Sequence, residues 1–176
     1  LMEAFSQAQS ADLIVTSGGA SVGQHDGVAR HMSAENQDHG GSLAFWRIAM
    51  RPGKPLIFGH LDKTPMLGLP GNPVSTGVCA MIFVAAAIRT MLGQDAEMPL
   101  QHAKCTAALP ENDQRQDYLR ARMTIDETGQ FWVTPFNKQD SGLLKNLADA
   151  DVLVMRPPHA PASEIGAIMR ILMIPK

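Results

Sequence analysis

The chain has 176 residues, 45% of them hydrophobic, with a formal net charge of −2. That is apolar material for one large core or two small ones, and the near-neutral balance gives no reason to expect nucleic acid or an anionic membrane as partner. Cys79 and Cys105 are too few and too far apart for a disulfide framework or a CxxC metal site, so both are read as reduced thiols of a cytoplasmic protein.

Residues 1–10 lack the basic and long apolar segments of a signal peptide. They read as the last turns of a helix, so the chain is expected to begin inside a domain. Leu13-Ile-Val-Thr16 is a short buried strand of parallel type, left through Gly18-Gly19. A helix is predicted over 27–36 with Asp26 as its N-cap. Strands follow at 42–50, 56–58 and 66–69, the last two separated by a turn at 60–65. Residues 74–92 are apolar nearly all round and stop at Gly93, the pattern of a buried helix. No uninterrupted run reaches eighteen apolar residues, so no transmembrane span is expected. Strands alternating with helices predict a doubly wound α/β layer over 1–97. After a linker at 95–99, short β-type runs at 102–109, 118–125, 131–135, 152–155 and 167–174 surround one weak helical patch at 142–148. These predict a small β-rich, barrel-like domain over 98–176.

Three glycine turns carry the chemistry. In Ser17-Gly-Gly-Ala-Ser-Val-Gly23, the residues Gly18, Gly19 and Gly23 permit positive φ and close backbone approach, so successive N–H groups can converge on an anion. Ser17 and Ser21 add hydroxyl donors, and the helix that follows adds its positive end. A tight turn that binds nothing would have the same sequence. In Arg51-Pro-Gly-Lys54-Pro55 the two prolines stiffen the backbone, so Arg51 and Lys54 are presented from a rigid loop rather than as an ordinary solvated pair. In Gly68-Leu-Pro-Gly-Asn-Pro-Val-Ser75, Gly71 permits a sharp bend and Ser75 falls in the first turn of the next helix. Two strand-to-helix turns of one parallel sheet open on the same edge, where α/β ligands bind. Asp26, the acid nearest the first loop, serves as a helix cap or as a ligand for Mg²⁺ beside a bound oxyanion.

In this order and spacing the three turns resemble the molybdopterin molybdenumtransferase family, which includes bacterial MoeA and the E-domain of gephyrin. The resemblance continues more weakly through Asp117-Tyr-Leu-Arg120 and Gln139-Asp-Ser-Gly-Leu143. It implies a molybdopterin-binding α/β domain followed by a small β-barrel-like domain. The implied reaction inserts molybdate into adenylylated molybdopterin and releases AMP, with Mg²⁺ or a similar divalent ion. Carried over by position, Asp26 sits at the metal and is catalytic together with Lys54. Ser17, Gly18, Gly19, Ser21, Gly23, Arg51, Pro55, Gly71, Asn72 and Ser75 bind substrate, with Arg120 and Ser141 contributed by the β-rich domain. Many relatives carry Lys where Arg51 stands. Relatives are about twice this length, so the sequence is expected to be a C-terminal piece of a parent homodimer.

Two other classes share parts of this pattern. A pterin-binding or scaffold module without turnover would keep the same binding residues. Gly19-Ala-Ser21-Val-Gly23 also matches the GxSxG nucleophile elbow of serine hydrolases. That reading requires a downstream acid and histidine and leaves the two proline turns without a purpose.

Overall fold

The computed structural model describes residues 2–8, 10–19, 27–28, 32 and 41–175. The chain divides into two compact units, one of residues 1–48 and 53–84 and the other of residues 49–52 and 85–176.

The first unit is a four-stranded sheet in the order β1-β5-β4-β2. It comprises β1 (Ile14–Ser17), β2 (Gly41–Trp46), β4 (Ile57–Leu61) and β5 (Thr64–Leu69), preceded by the short helix α1 (Met2–Ala8). Among the described strands of this sheet, β1 and β5 alone run parallel, with Ile14 opposite Met66 and Ser17 opposite Leu69. β4 is antiparallel to β5 and to β2, so the parallel α/β layer expected from sequence continues into an antiparallel extension. Its core joins Phe5 from α1, Ile14, Ile57, Leu61 and Met66 from the strands, and Val28 and Met32. Gly27 and Val28 are helical, as the predicted 27–36 helix requires. The rest of that helix and its Asp26 cap lie outside the described residues.

Helix α2 (Pro73–Met91) matches its predicted limits, but not its predicted burial. Val74, Ser75, Val78 and Cys79 are buried in its first turns. Beyond a π-helical turn at Ala80–Val84 no residue is fully buried, and Ile88, Met91 and Leu92 are exposed. A mostly apolar sequence thus has only one end enclosed by the described residues. By length and composition alone the helix is also long enough to cross a membrane, a test that core helices pass too. Reading only for uninterrupted apolar runs missed this, because Ser75, Thr76 and Arg89 interrupt the pattern.

The second unit is a closed barrel. β6 (Leu100–Cys105), β7 (Gln116–Ile125), β8 (Phe131–Pro135), β9 (Val152–Arg156) and β10 (Ile168–Met173) follow the order β7-β8-β6-β10-β9, and β9 pairs back onto β7. Closure leaves no free sheet edge in the ring. Alternate residues fill the interior: Ala103 and Cys105, Val152 and Val154, Met169 and Ile171, with Ala121 and Val133. Small residues on β6 and β7 suit the narrow lumen of a five-stranded ring. The short strand β3 (Met50–Arg51) lies parallel to the start of β7, and the helical patch forms α3 (Leu144–Ala148).

Gly59 has a steric reason to be glycine. It sits in β4 between two neighbours, where an added Cβ would collide with the Ser42 carbonyl and lie 2.9 Å from Met32 Cε. Gly59→Ala is expected to lower the unfolding free energy by about 1–3 kcal/mol, the usual cost of overpacking a core. Urea unfolding followed by circular dichroism checks this; an unchanged midpoint contradicts it.

Candidate functional site

The parallel pairing of β1 with β5 brings the first and third glycine turns side by side. The Gly18 N–H donates to the Leu69 carbonyl at 3.1 Å. An added Cβ on Gly71 would lie 3.4 Å from the Gly18 Cα, and one on Gly18 would lie 3.9 Å from the Gly71 Cα. Gly18 has φ of +84°, a conformation that favours glycine. The two turns therefore pack backbone to backbone at the carboxyl edge of the parallel strands.

The third turn is fixed by its own side chains. Asn72 Oδ1 accepts from the N–H groups of Val74 at 3.1 Å and Ser75 at 3.2 Å, capping α2. A cap of this kind is worth about 1 kcal/mol. The Thr76 hydroxyl donates to the Pro70 and Asn72 carbonyls. Ser75 is buried in the first helical turn. The second turn is held by the Ile48 N–H on the Lys54 carbonyl at 3.0 Å. The Cys79 thiol, from the second turn of α2, lies 3.9 Å from the Gly53 carbonyl. Burial raises the Cys79 pKa to about 12, so this thiol stays protonated at neutral pH and is no nucleophile.

These contacts revise which groups are open to an anion. The sequence suggested a nest of free N–H groups, but those of Gly18, Val74, Ser75 and Thr76 are spent on internal acceptors. Ser17 and Lys54 are exposed. Lys54, on a proline-bounded turn, forms no salt bridge among the described residues. Gly19 follows Gly18 in the same loop, Pro55 is half-buried, and Ser21, Gly23 and Asp26 lie outside the described residues. Among the described residues no cluster of His, Cys, Asp and Glu could hold a metal ion.

Arg51, the other cation of the second turn, belongs to the barrel unit and is already paired. Its guanidinium donates to Asp117 Oδ2 and lies 3.5 Å from Asp113 Oδ2. Asp117 is nearly fully buried and stands opposite Arg51 in the β3–β7 register. Sequence reasoning missed both acids; the signal was the run Asn112-Asp113 with Asp117 ahead of Arg120, which only the β3–β7 pairing connects to Arg51. Arg120 is 1% exposed. Its guanidinium donates to the Asp140 carbonyl at 3.2 Å, and its N–H donates to Gln139 Oε1 at 2.9 Å. Ser141 follows directly and is half-buried, so the structure brings Arg120 and the 139–141 turn together. Burial pulls the Arg120 pKa down, opposed by the charges of Asp140 and Asp117.

The fold is that of an α/β sheet joined in sequence to a closed five-stranded barrel. Residues 1–90 match the probable molybdopterin binding domain, and residues 102–170 match the MoeA C-terminal region (domain IV). The chain belongs to the molybdopterin molybdenumtransferase family. It is 36% identical over 156 residues to the molybdopterin molybdenumtransferase of Haemophilus influenzae, covering 87% of this chain and 37% of that protein. It is 30% identical to the Drosophila melanogaster molybdenum cofactor synthesis protein cinnamon, covering 94% of this chain and 28% of that one. The chain thus spans between about a quarter and two fifths of the length of these relatives. The molybdopterin biosynthesis MoeA protein of Pyrococcus horikosii shares the fold, with a TM-score of 0.73 at 23% identity over 99% of this chain and 40% of that one.

Asp113 offers a pH test of its pairing with Arg115. Hydrogen bonds from the Arg115 side chain and backbone, then the charges of Arg115 and Arg51, lower its pKa to about 2. A carboxylate depressed in the folded state stabilises above its unfolded pKa of about 3.9, and that contribution fades as pH falls toward about 2. The natural chain should therefore lose its stability advantage over Asp113→Asn between those values, as read by urea midpoints at each pH. The exposed setting keeps the effect small and salt-sensitive. An advantage that is constant with pH contradicts that pairing.

Proposed function

We infer that this chain forms the molybdopterin-handling part of an enzyme that inserts molybdate into adenylylated molybdopterin with release of AMP. The observation that carries this reading is the joined edge of the first and third turns, in the same unit as Lys54, which forms no salt bridge among the described residues. Molybdate is a tetrahedral dianion whose oxygens must give way to the dithiolene sulfurs of the pterin. Lys54 supplies a point charge to hold it, and the Ser17 and Ser75 hydroxyls are donors near the packed glycines in sequence. Holding the oxyanion beside the bound pterin converts an encounter of two molecules into a positioned displacement.

Arg51 has a different part in this reading. Compensated by two carboxylates, it contributes less net charge to an incoming dianion than Lys54 does. Arg120 with Ser141 supplies a second, buried cation in the barrel unit. A divalent ion such as Mg²⁺ held by Asp26 would neutralise charge on the departing phosphate. On the resemblance alone, the working form is a cytoplasmic homodimer with no nucleic-acid or membrane partner.

Two measurements test this on the full-length protein. Lys54→Ala should raise the molybdate concentration needed for insertion about ten- to a hundredfold, as expected for one charge-assisted contact. Excess molybdate should partly restore its rate, whereas Arg51→Lys should be mild. An unchanged molybdate dependence in Lys54→Ala would make the turn a structural connector. Asp26→Ala should abolish rescue of a strain deficient in molybdate insertion while leaving circular dichroism unaltered; full rescue removes Asp26 from the metal role.

A further inference from the structure

Charge on the outer face of the barrel strands has one sign. Ala103, Cys105, Val133, Met169 and Ile171 fill the ring. The alternate residues, His102 and Lys104 of β6, Trp132 of β8, and Ile168 and Arg170 of β10, therefore face outward. Strand register sets them side by side. Lys104 stands opposite Ile168 on one neighbour and Trp132 on the other, and His102 stands opposite Arg170. Asp117, which is buried, is the one acidic residue on the five strands of the ring.

No carboxylate pairs with these cations among the described residues. Lys104 and Arg170 form no salt bridge there, and neither do Glu127 and Glu164 in the turns before β8 and β10. Asp126, in the hairpin joining β7 to β8, is already engaged. One oxygen accepts from the Thr128 and Gln130 N–H groups, and the other accepts from the Trp132 indole N–H at 2.8 Å. That bond fixes the indole, whose ring centre lies 5.5 Å from the Lys104 ammonium. Lys104 and Arg170 are diagonal neighbours on adjacent strands, about 7–8 Å apart, where like charges repel. Apolar surface adjoins them: Ile168 is 69% exposed between the two cations.

We propose that this face of β10, β6 and β8 docks an extended, acidic segment of a partner protein, its carboxylates on Lys104 and Arg170 and its apolar residues over Ile168. An extended chain repeats its side chains about 7 Å apart on one face, the same interval that separates His102 from Lys104 along β6. Three strands about 4.8 Å apart make a surface about 10 Å wide, enough to seat one such segment. A nucleic acid fits less well. Trp132 has an ammonium over its ring and its edge tied to Asp126, which leaves less of it for base stacking. The net charge of −2 also opposes the approach of a polyanion. The surface is built only from residues of the barrel unit and is independent of the reaction proposed above.

The test is fluorescence polarisation of a short fluorescein-labelled peptide of alternating glutamate and leucine, titrated with the full 176-residue chain. Saturable binding that weakens as salt rises is expected. Replacing the peptide's glutamates by lysine should weaken binding by about tenfold or more, and so should Lys104→Glu or Arg170→Glu, because each exchange turns an attraction into a repulsion. Lys138→Glu makes the same change in net charge from the loop after β8 and should leave binding unaltered. Ile168→Ser should weaken binding without changing its salt dependence. Arg170, Ile168 and Lys138 are exposed, so their variants keep the test intact should loss of the Lys104–Trp132 contact disturb the fold. Absence of saturation by the acidic peptide overturns the proposal, as does an equal loss in Lys138→Glu, which would make the effect one of net charge alone. Tighter binding of an oligothymidylate overturns it too, and makes the face a nucleic-acid site.

Discussion

The contact between Gly18 and Gly71 is the constraint from which the first unit takes its form. Two neighbouring parallel strands each end in a turn, and the turns meet in van der Waals contact, with Gly18 held at a positive φ that favours glycine. That approach sets where β1 stops, obliges the chain after β5 to bend at once, and starts α2 immediately beyond. Asn72 and Thr76 then secure the bend with their own hydrogen bonds. What remains exposed at this edge is therefore determined by subtraction: the backbone donors are used to hold the turns, and side chains are left to meet a ligand.

The same subtraction separates the two cations of the proline turn. In isolation Arg51 and Lys54 look equivalent, two charges three residues apart on a stiff loop. Pairing of β3 with β7 sets Arg51 against a buried acid, and the electrostatic cost of burying Asp117 is offset by that neighbour. Lys54 has no such partner among the described residues. A turn that seemed to offer two equal anchors offers one charge paired with carboxylates and one that forms no salt bridge among the described residues.

Much of this architecture could be read from the residues. The apolar runs bounded by glycine and proline marked β1, β4, β5 and all five barrel strands within a few residues, because turn chemistry is local. The three turns were also visible, since glycine and proline at fixed spacing leave few alternatives. Harder to see were features that depend on non-local pairing. The Asp117–Arg51 contact spans residues far apart in sequence, and nothing near Arg51 announces it. The spending of N–H groups at Val74 and Ser75 depends on the Asn72 rotamer rather than on its presence. The partial exposure of α2 was misjudged because an apolar pattern records what a helix prefers to contact, not which neighbours the chain supplies.

Each unit holds a single cysteine, and both are free and buried: Cys79 beneath the second turn and Cys105 inside the barrel ring. A thiol reagent can reach either one only when its surroundings open, so alkylation rates would act as two independent clocks of local unfolding. Mass spectrometry can resolve the two modified peptides from one sample. The chain thus carries its own pair of reporters, without an introduced label, on whether the α/β edge and the barrel loosen together or separately.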